Sequence, residues 1–113
     1  MSRDIRLYLE DIIDAVAKIE RFTAGVGREE FRRDSMVFDA VVRNLEIIGE
    51  AVKNLPQELR HDTSDLEWRK IAGLRDVLAH GYFSLDEEIV WDVVRTKLEP
   101  LAVEARRIIK EVE

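Results

Sequence analysis

Apolar residues return every three or four positions along most of this chain, a period that fits helices and not strands. Ile5, Tyr8, Leu9, Ile12, Ile13, Val16 and Ile19 follow the i, i+3, i+4, i+7 rule, and "TAGVG" at 23–27 stops that helix. A second helix is expected from about Ser35 to Leu55, with Phe38, Val41, Val42, Leu45, Ile48, Val52 and Leu55 on one stripe. Pro56 ends it, because proline cannot continue the hydrogen-bond ladder. Ser64 and Glu67 have the S-x-x-E spacing of a capping box and open a third helix, which Gly81 closes. Ser84 and Glu87 repeat the box for a fourth, which runs through Ile89 and Val93. The chain then breaks near Thr96 to Pro100 and resumes as a last helix with Leu101, Ala105, Ile108, Ile109 and Val112 inward. No strand-like alternation, internal repeat or low-complexity linker interrupts this pattern. The expected fold is all-α, a single domain over 1–113 built as an up-and-down bundle of four to five helices with short connections.

Composition narrows the chemistry. The chain has no cysteine, so a disulfide framework, a thiolate metal site and a thiol nucleophile are all excluded. Its two histidines stand far apart in sequence, which argues against a histidine-rich metal site; no metal and no cofactor are expected. No apolar run approaches the roughly 20 residues that span a bilayer, and "MSRDIRLYLEDII" is too charged for a secretory signal. A cytoplasmic, membrane-free protein is expected. A net charge of −6 speaks against a general nucleic-acid coat, although a local positive groove remains compatible with it. Arg28, Arg32 and Arg33, or Arg69 and Lys70, are the candidates for one; solvated charges on helix faces are the better reading for each cluster taken alone.

One stretch departs from ordinary helix-core composition. "GLRDVLAHGYF" at 73–83 gathers Arg75, Asp76, His80 and Tyr82 on the third helix and the turn after it. At about 100° per residue, Ile71, Leu74 and Leu78 share the face expected to meet the bundle. Arg75 and Tyr82 fall at the edge of that face. Asp76 and His80 fall about 140° to 180° from Ile71, on the opposite side, and are i, i+4 neighbours. A carboxylate one turn from an imidazole can hold the ring and favour its protonated form. Ala72, Gly73 and Ala79 keep this helix slim, so a second packing partner is expected, most simply another copy of the chain. A plain surface ion pair between Asp76 and His80, with Tyr82 and Phe83 stapling the turn, is the competing reading. On the second helix, Arg43, Glu46 and Glu50 share the polar side; they either border the catalytic cleft or stabilise the dimer, or equally form a charge ladder worth ~0.2–0.5 kcal/mol per pair.

"RDVLAHGY" matches the R-x4-H-x-Y motif, here Arg75, His80 and Tyr82, and in this it resembles the HepT-like ribonuclease toxins of the HEPN superfamily. The likeness extends to "VVRNLEIIGEAVKNLP" at 41–56 and to "WRKIAGLRDVLAHGYFSLDEEIVWDVV" at 68–94, and covers essentially the whole chain. The resemblance implies a homodimeric, metal-independent endoribonuclease toxin of a type VII-like toxin–antitoxin system, with the motif Arg and His gathered near the dimer interface. The position after the motif Arg is commonly Asn in that family and sometimes Asp; here it is Asp76, in a supporting role. Cleavage without a metal can use the substrate's own 2′-hydroxyl as nucleophile. His80 suits the proton-transfer role, typically worth ~10²–10⁴-fold, and the planar fork of Arg75 suits the phosphate oxygens.

The same resemblance gives Tyr82 a regulatory role. These toxins are commonly paired with an MntA-type nucleotidyltransferase antitoxin that transfers AMP from ATP to the motif tyrosine, which inactivates the nuclease. A non-catalytic module that binds a nucleotide, or only docks with the nucleotidyltransferase, is the alternative from a different functional class.

Overall fold

The computed structural model describes residues 4–60 and 87–112. Five α-helices and one short 3-10 turn make up this part: α1 (Ile5–Thr23), α2 (Arg28–Arg33), α3 (Ser35–Lys53), the 3-10 turn Gln57–Arg60, α4 (Glu87–Thr96) and α5 (Leu98–Val112). The all-α bundle expected from the periodicity is what is found.

Local chemistry sets the helix ends. The Asp4 carboxylate accepts from the Arg6 backbone N–H at 2.9 Å and caps α1. At the other end Ala24 and Gly25 form a tight turn in which the Val26 N–H donates to the Thr23 carbonyl at 3.0 Å. Gly25 takes φ +74°, which the third position of such a turn requires and which side chains resist. Asp34 both ends α2 and caps α3, its carboxylate accepting from the Val37 N–H at 3.1 Å. Pro56 follows the Asn54 C-cap of α3 by two residues, and the Leu59 N–H returns to the Pro56 carbonyl at 3.1 Å to start the 3-10 turn.

The helices close around one core. Leu9, Ile12, Val16 and Ile19 of α1 meet Val41, Leu45, Ile48 and Val52 of α3, with Leu98, Leu101, Ala105 and Ile108 of α5 on the other side. Each such valine, leucine or isoleucine side chain contributes about 1.5–3 kcal/mol on full burial. The N-terminal half of α1 lies along the C-terminal half of α3, and Glu20 near the end of α1 lies beside Glu99 at the start of α5. Both packings are therefore antiparallel. The two buried polar side chains among the described residues satisfy themselves within their own helices: Thr23 Oγ1 donates to the Ile19 carbonyl at 2.8 Å and Asn44 Nδ2 to the Ala40 carbonyl at 2.9 Å.

Three details differ from the sequence expectation. The break around Thr96 to Pro100 shrinks to Lys97 alone, and Pro100 sits in the first turn of α5, where its missing N–H has no helical partner to lose. In α4 the buried position is Val90; Ile89 is 56% exposed. At the end of α5, Val112 is 42% exposed, beyond the reach of the core. Among the described residues, no helix is long and apolar enough to cross a membrane.

Candidate functional site

The antiparallel crossing of α1 and α3 leaves a groove of about 320 Å³ between their polar flanks. From α1, Tyr8 and Asp11 point into it one turn apart; from α3 come Arg43, Glu46, Ile47, Glu50 and Ala51. The spacing explains why the residues converge. On each helix the core stripe fixes the rotation, and positions next to that stripe flank the seam. Tyr8 is half-buried against the core, while Arg43 is 72% exposed. The Arg43 guanidinium reaches Glu46 at 3.9 Å, a loose contact of the kind worth little at a surface. Glu50 accepts a long bond, 3.4 Å, from the Asn54 side chain. Among the described residues, three carboxylates and one guanidinium thus border one aromatic ring and two apolar side chains.

A second carboxylate neighbourhood lies where α1 meets α5. Partial burial, then the hydrogen bond and charge of Glu99, push the Glu20 carboxyl above its ordinary value, and Arg106 pulls it back. Glu20 and Glu99 line a shallow depression with Thr23, Ala24, Gly25, Val94 and Arg95. Among the described residues, no group of three or more histidine, aspartate or glutamate side chains is arranged to hold a metal ion.

The candidates named from sequence divide as follows. Arg75, Asp76, His80 and Tyr82 lie outside the described residues, as do Arg69 and Lys70. Arg43, Glu46 and Glu50 come together at the α1–α3 groove. In the other basic cluster, Arg32 is engaged by Glu29 and Glu87 at 3.6 Å each, so it ties α2 to α4. Tyr8 and Asp11 are groove residues that the sequence reading missed. Tyr8 counted there as part of the core stripe, and the only available signal was an Asp one turn along the same helix flank.

Comparison with known proteins places this architecture. The family model described as "Ribonuclease HepT-like" matches residues 12–108, nearly the whole chain. The chain belongs to the ribonuclease HepT-like family. A Methanocaldococcus jannaschii protein named "Putative RNase" is 40% identical over 112 residues, covering 99% of this chain and 93% of that protein. "Probable ribonuclease HepT" of Thermococcus cleftensis is 41% identical over 101 residues, covering 89% of this chain and 92% of that one. Another M. jannaschii protein, "Gamma-glutamylcyclotransferase and putative RNase", is 35% identical over all 113 residues, and this chain spans only about half, 51%, of its length. No solved structure gives a significant match. The span matched by the HepT-like family includes positions 75–82, so the R-x4-H-x-Y sequence falls inside it.

Proposed function

We propose that this HepT-like chain is a metal-independent endoribonuclease, the toxin of a type VII-like toxin–antitoxin pair, working as a cytoplasmic homodimer. The observation that carries the reading is the family match over residues 12–108 together with an intact Arg75, His80 and Tyr82 at motif spacing within it. The 2′-hydroxyl of one nucleotide attacks the adjacent phosphorus; the P–O2′ bond forms and the P–O5′ bond breaks. The 2′-hydroxyl proton leaves to a base and the O5′ leaving group takes a proton from an acid. His80 serves in these transfers, and in a homodimer the acid and the base come from different copies. Arg75 meets the charge that builds on the non-bridging oxygens. Asp76, one turn before His80, supports it by raising its basicity. The products are a 2′,3′-cyclic phosphate and a 5′-hydroxyl, and DNA, without a 2′-hydroxyl, is not cut.

Tyr82 is the control point in this reading. An MntA-type nucleotidyltransferase joins the tyrosine oxygen to the α-phosphorus of ATP, releasing pyrophosphate and the phenolic proton. The added phosphodiester brings negative charge that competes for Arg75, and the adenosine fills space that RNA needs.

The acidic balance, net −6 with a pI near 5.0, favours a second reading in which the bundle binds a nucleotide, or docks with the nucleotidyltransferase, without catalysis. Incubation of the purified chain with matched RNA and DNA strands in EDTA separates the two. Cleavage of RNA alone supports the nuclease. An intact RNA under conditions where the chain is folded and dimeric supports the binding module.

A further inference from the structure

Helix α2 brings a single buried side chain to the bundle. Of its six residues, Arg28, Glu29, Glu30, Arg32 and Arg33 are charged and exposed, and only Phe31 is buried. The Phe31 ring sits 5.1 Å from that of Trp91 in α4 and 5.7 Å from that of Phe38 in α3. Arg32 adds an ion pair with Glu87 at 3.6 Å, but both side chains are about half exposed, where such pairs contribute little. By contrast α1 buries Leu9, Ile12, Val16 and Ile19, and α3 buries Val41, Leu45, Ile48 and Val52.

Both ends of α2 can give way without disturbing the longer helices. Gly27 before it is extended and exposed and has no side chain to cap the helix, and nothing stands within 4 Å of where its Cβ would be. After it, the Asp34 N–H donates to the Glu30 carbonyl of α2, whereas the Asp34 carboxylate caps α3. Loss of the first bond leaves the second in place. A six-residue helix detached from its packing does not persist in water, so release of Phe31 and melting of α2 are one event.

We propose that α2 is a strap that unfastens as a unit while the bundle of α1, α3 and α5 stays folded. Opening withdraws the Phe31 ring, bares the faces of Phe38 and Trp91 that it covers, and releases Glu87 at the start of α4 from Arg32.

Amide hydrogen exchange of the full chain, followed by NMR at several urea concentrations too low to unfold it, is the test. The Phe31 and Asp34 amides, which donate to Gly27 and Glu30 at 2.9 Å each, report the strap; the Ile19 and Leu45 amides report the core. Losing the burial of one phenyl ring corresponds to about 10²–10⁴-fold in an opening equilibrium, so the strap amides should be protected by that factor. Core amides should be protected at least about tenfold more and should lose protection steeply with urea, because only global unfolding frees them. The strap amides should barely respond to urea. Ile48→Val supplies an independent check, nearly three turns along α3 from Phe38. It should speed core exchange by about two- to tenfold and leave strap exchange within about twofold. Strap amides that share the core's urea dependence, or its acceleration in the Ile48→Val chain, would show that α2 opens only when the whole chain unfolds and would overturn the proposal. Strap amides that exchange as fast as an unstructured peptide overturn it too, because nothing then holds α2 closed.

Discussion

Phe31 lies 5.1 Å from Trp91 and 5.7 Å from Phe38, ring centre to ring centre, and is wholly buried. It belongs to α2, a helix of only six residues whose other five side chains are all charged. A helix that short is marginal by itself, so its position depends on this one ring and on the Arg32–Glu87 contact with α4. Phe31→Ala is expected to cost about 3–5 kcal/mol, the range for deleting a buried aromatic ring. Chemical denaturation measures it; a loss below about 1 kcal/mol would show that α2 is held by something else.

Glu20 gives a pH signature. Its carboxyl is raised from the ordinary 4.5 by partial burial and by Glu99, so the folded chain holds this proton more tightly than the unfolded one. The pair therefore favours folding below about pH 4, and that contribution fades as the pH rises through the raised value. At neutral pH the two carboxylates repel. Glu20→Gln is expected to raise stability at pH 7 by about 0.5 kcal/mol or less, since the site is largely solvated. The gain should vanish at pH 4. Equal gains at both pH values in thermal melts would contradict this origin.

How much was legible in the sequence depended on how many turns each signal had. Five turns of apolar repeat in α1 and again in α3 fixed both their extent and their buried faces, and Pro56 and "TAGVG" marked their ends. In α4 the sequence named Ile89 and Val93; Val93 packs partly buried against the core, whereas Ile89 is 56% exposed and Val90 is the fully buried residue, because a stretch so short and rich in valine does not fix its own phase. Helix α2 was invisible because "REEFRR" carries one apolar residue and so has no period. The groove was half legible. Arg43, Glu46 and Glu50 showed as a polar stripe, whereas Tyr8 and Asp11 join them only through the antiparallel packing of two helices distant in sequence.

The proposed dimer comes from the second face of the 73–83 stretch, where Asp76 and His80 stand away from Ile71, Leu74 and Leu78 by helical spacing. Light scattering at micromolar concentration should give about twice the chain mass of 13.2 kDa. A stable monomer would separate His80 from any second copy and remove the two-chain acid–base scheme.

For Tyr82, the proposed regulation predicts that incubation with ATP and an MntA-type nucleotidyltransferase adds AMP to that residue and suppresses RNA cleavage. Tyr82→Phe should escape modification and continue to cut in their presence. Mass spectrometry that finds the adduct on Tyr8, or no adduct with the true partner, takes the regulatory role away from Tyr82.

The nuclease assignment itself is tested most directly by the ends it makes. A short RNA incubated in EDTA with the unaltered chain should yield fragments ending in 2′,3′-cyclic phosphate and 5′-hydroxyl groups. His80→Ala and Arg75→Ala, folded to the same degree by circular dichroism, should each lower that cleavage by ~10²-fold or more. Undiminished cleavage by the His80→Ala chain, or cleavage that stops when EDTA is added, would contradict the account.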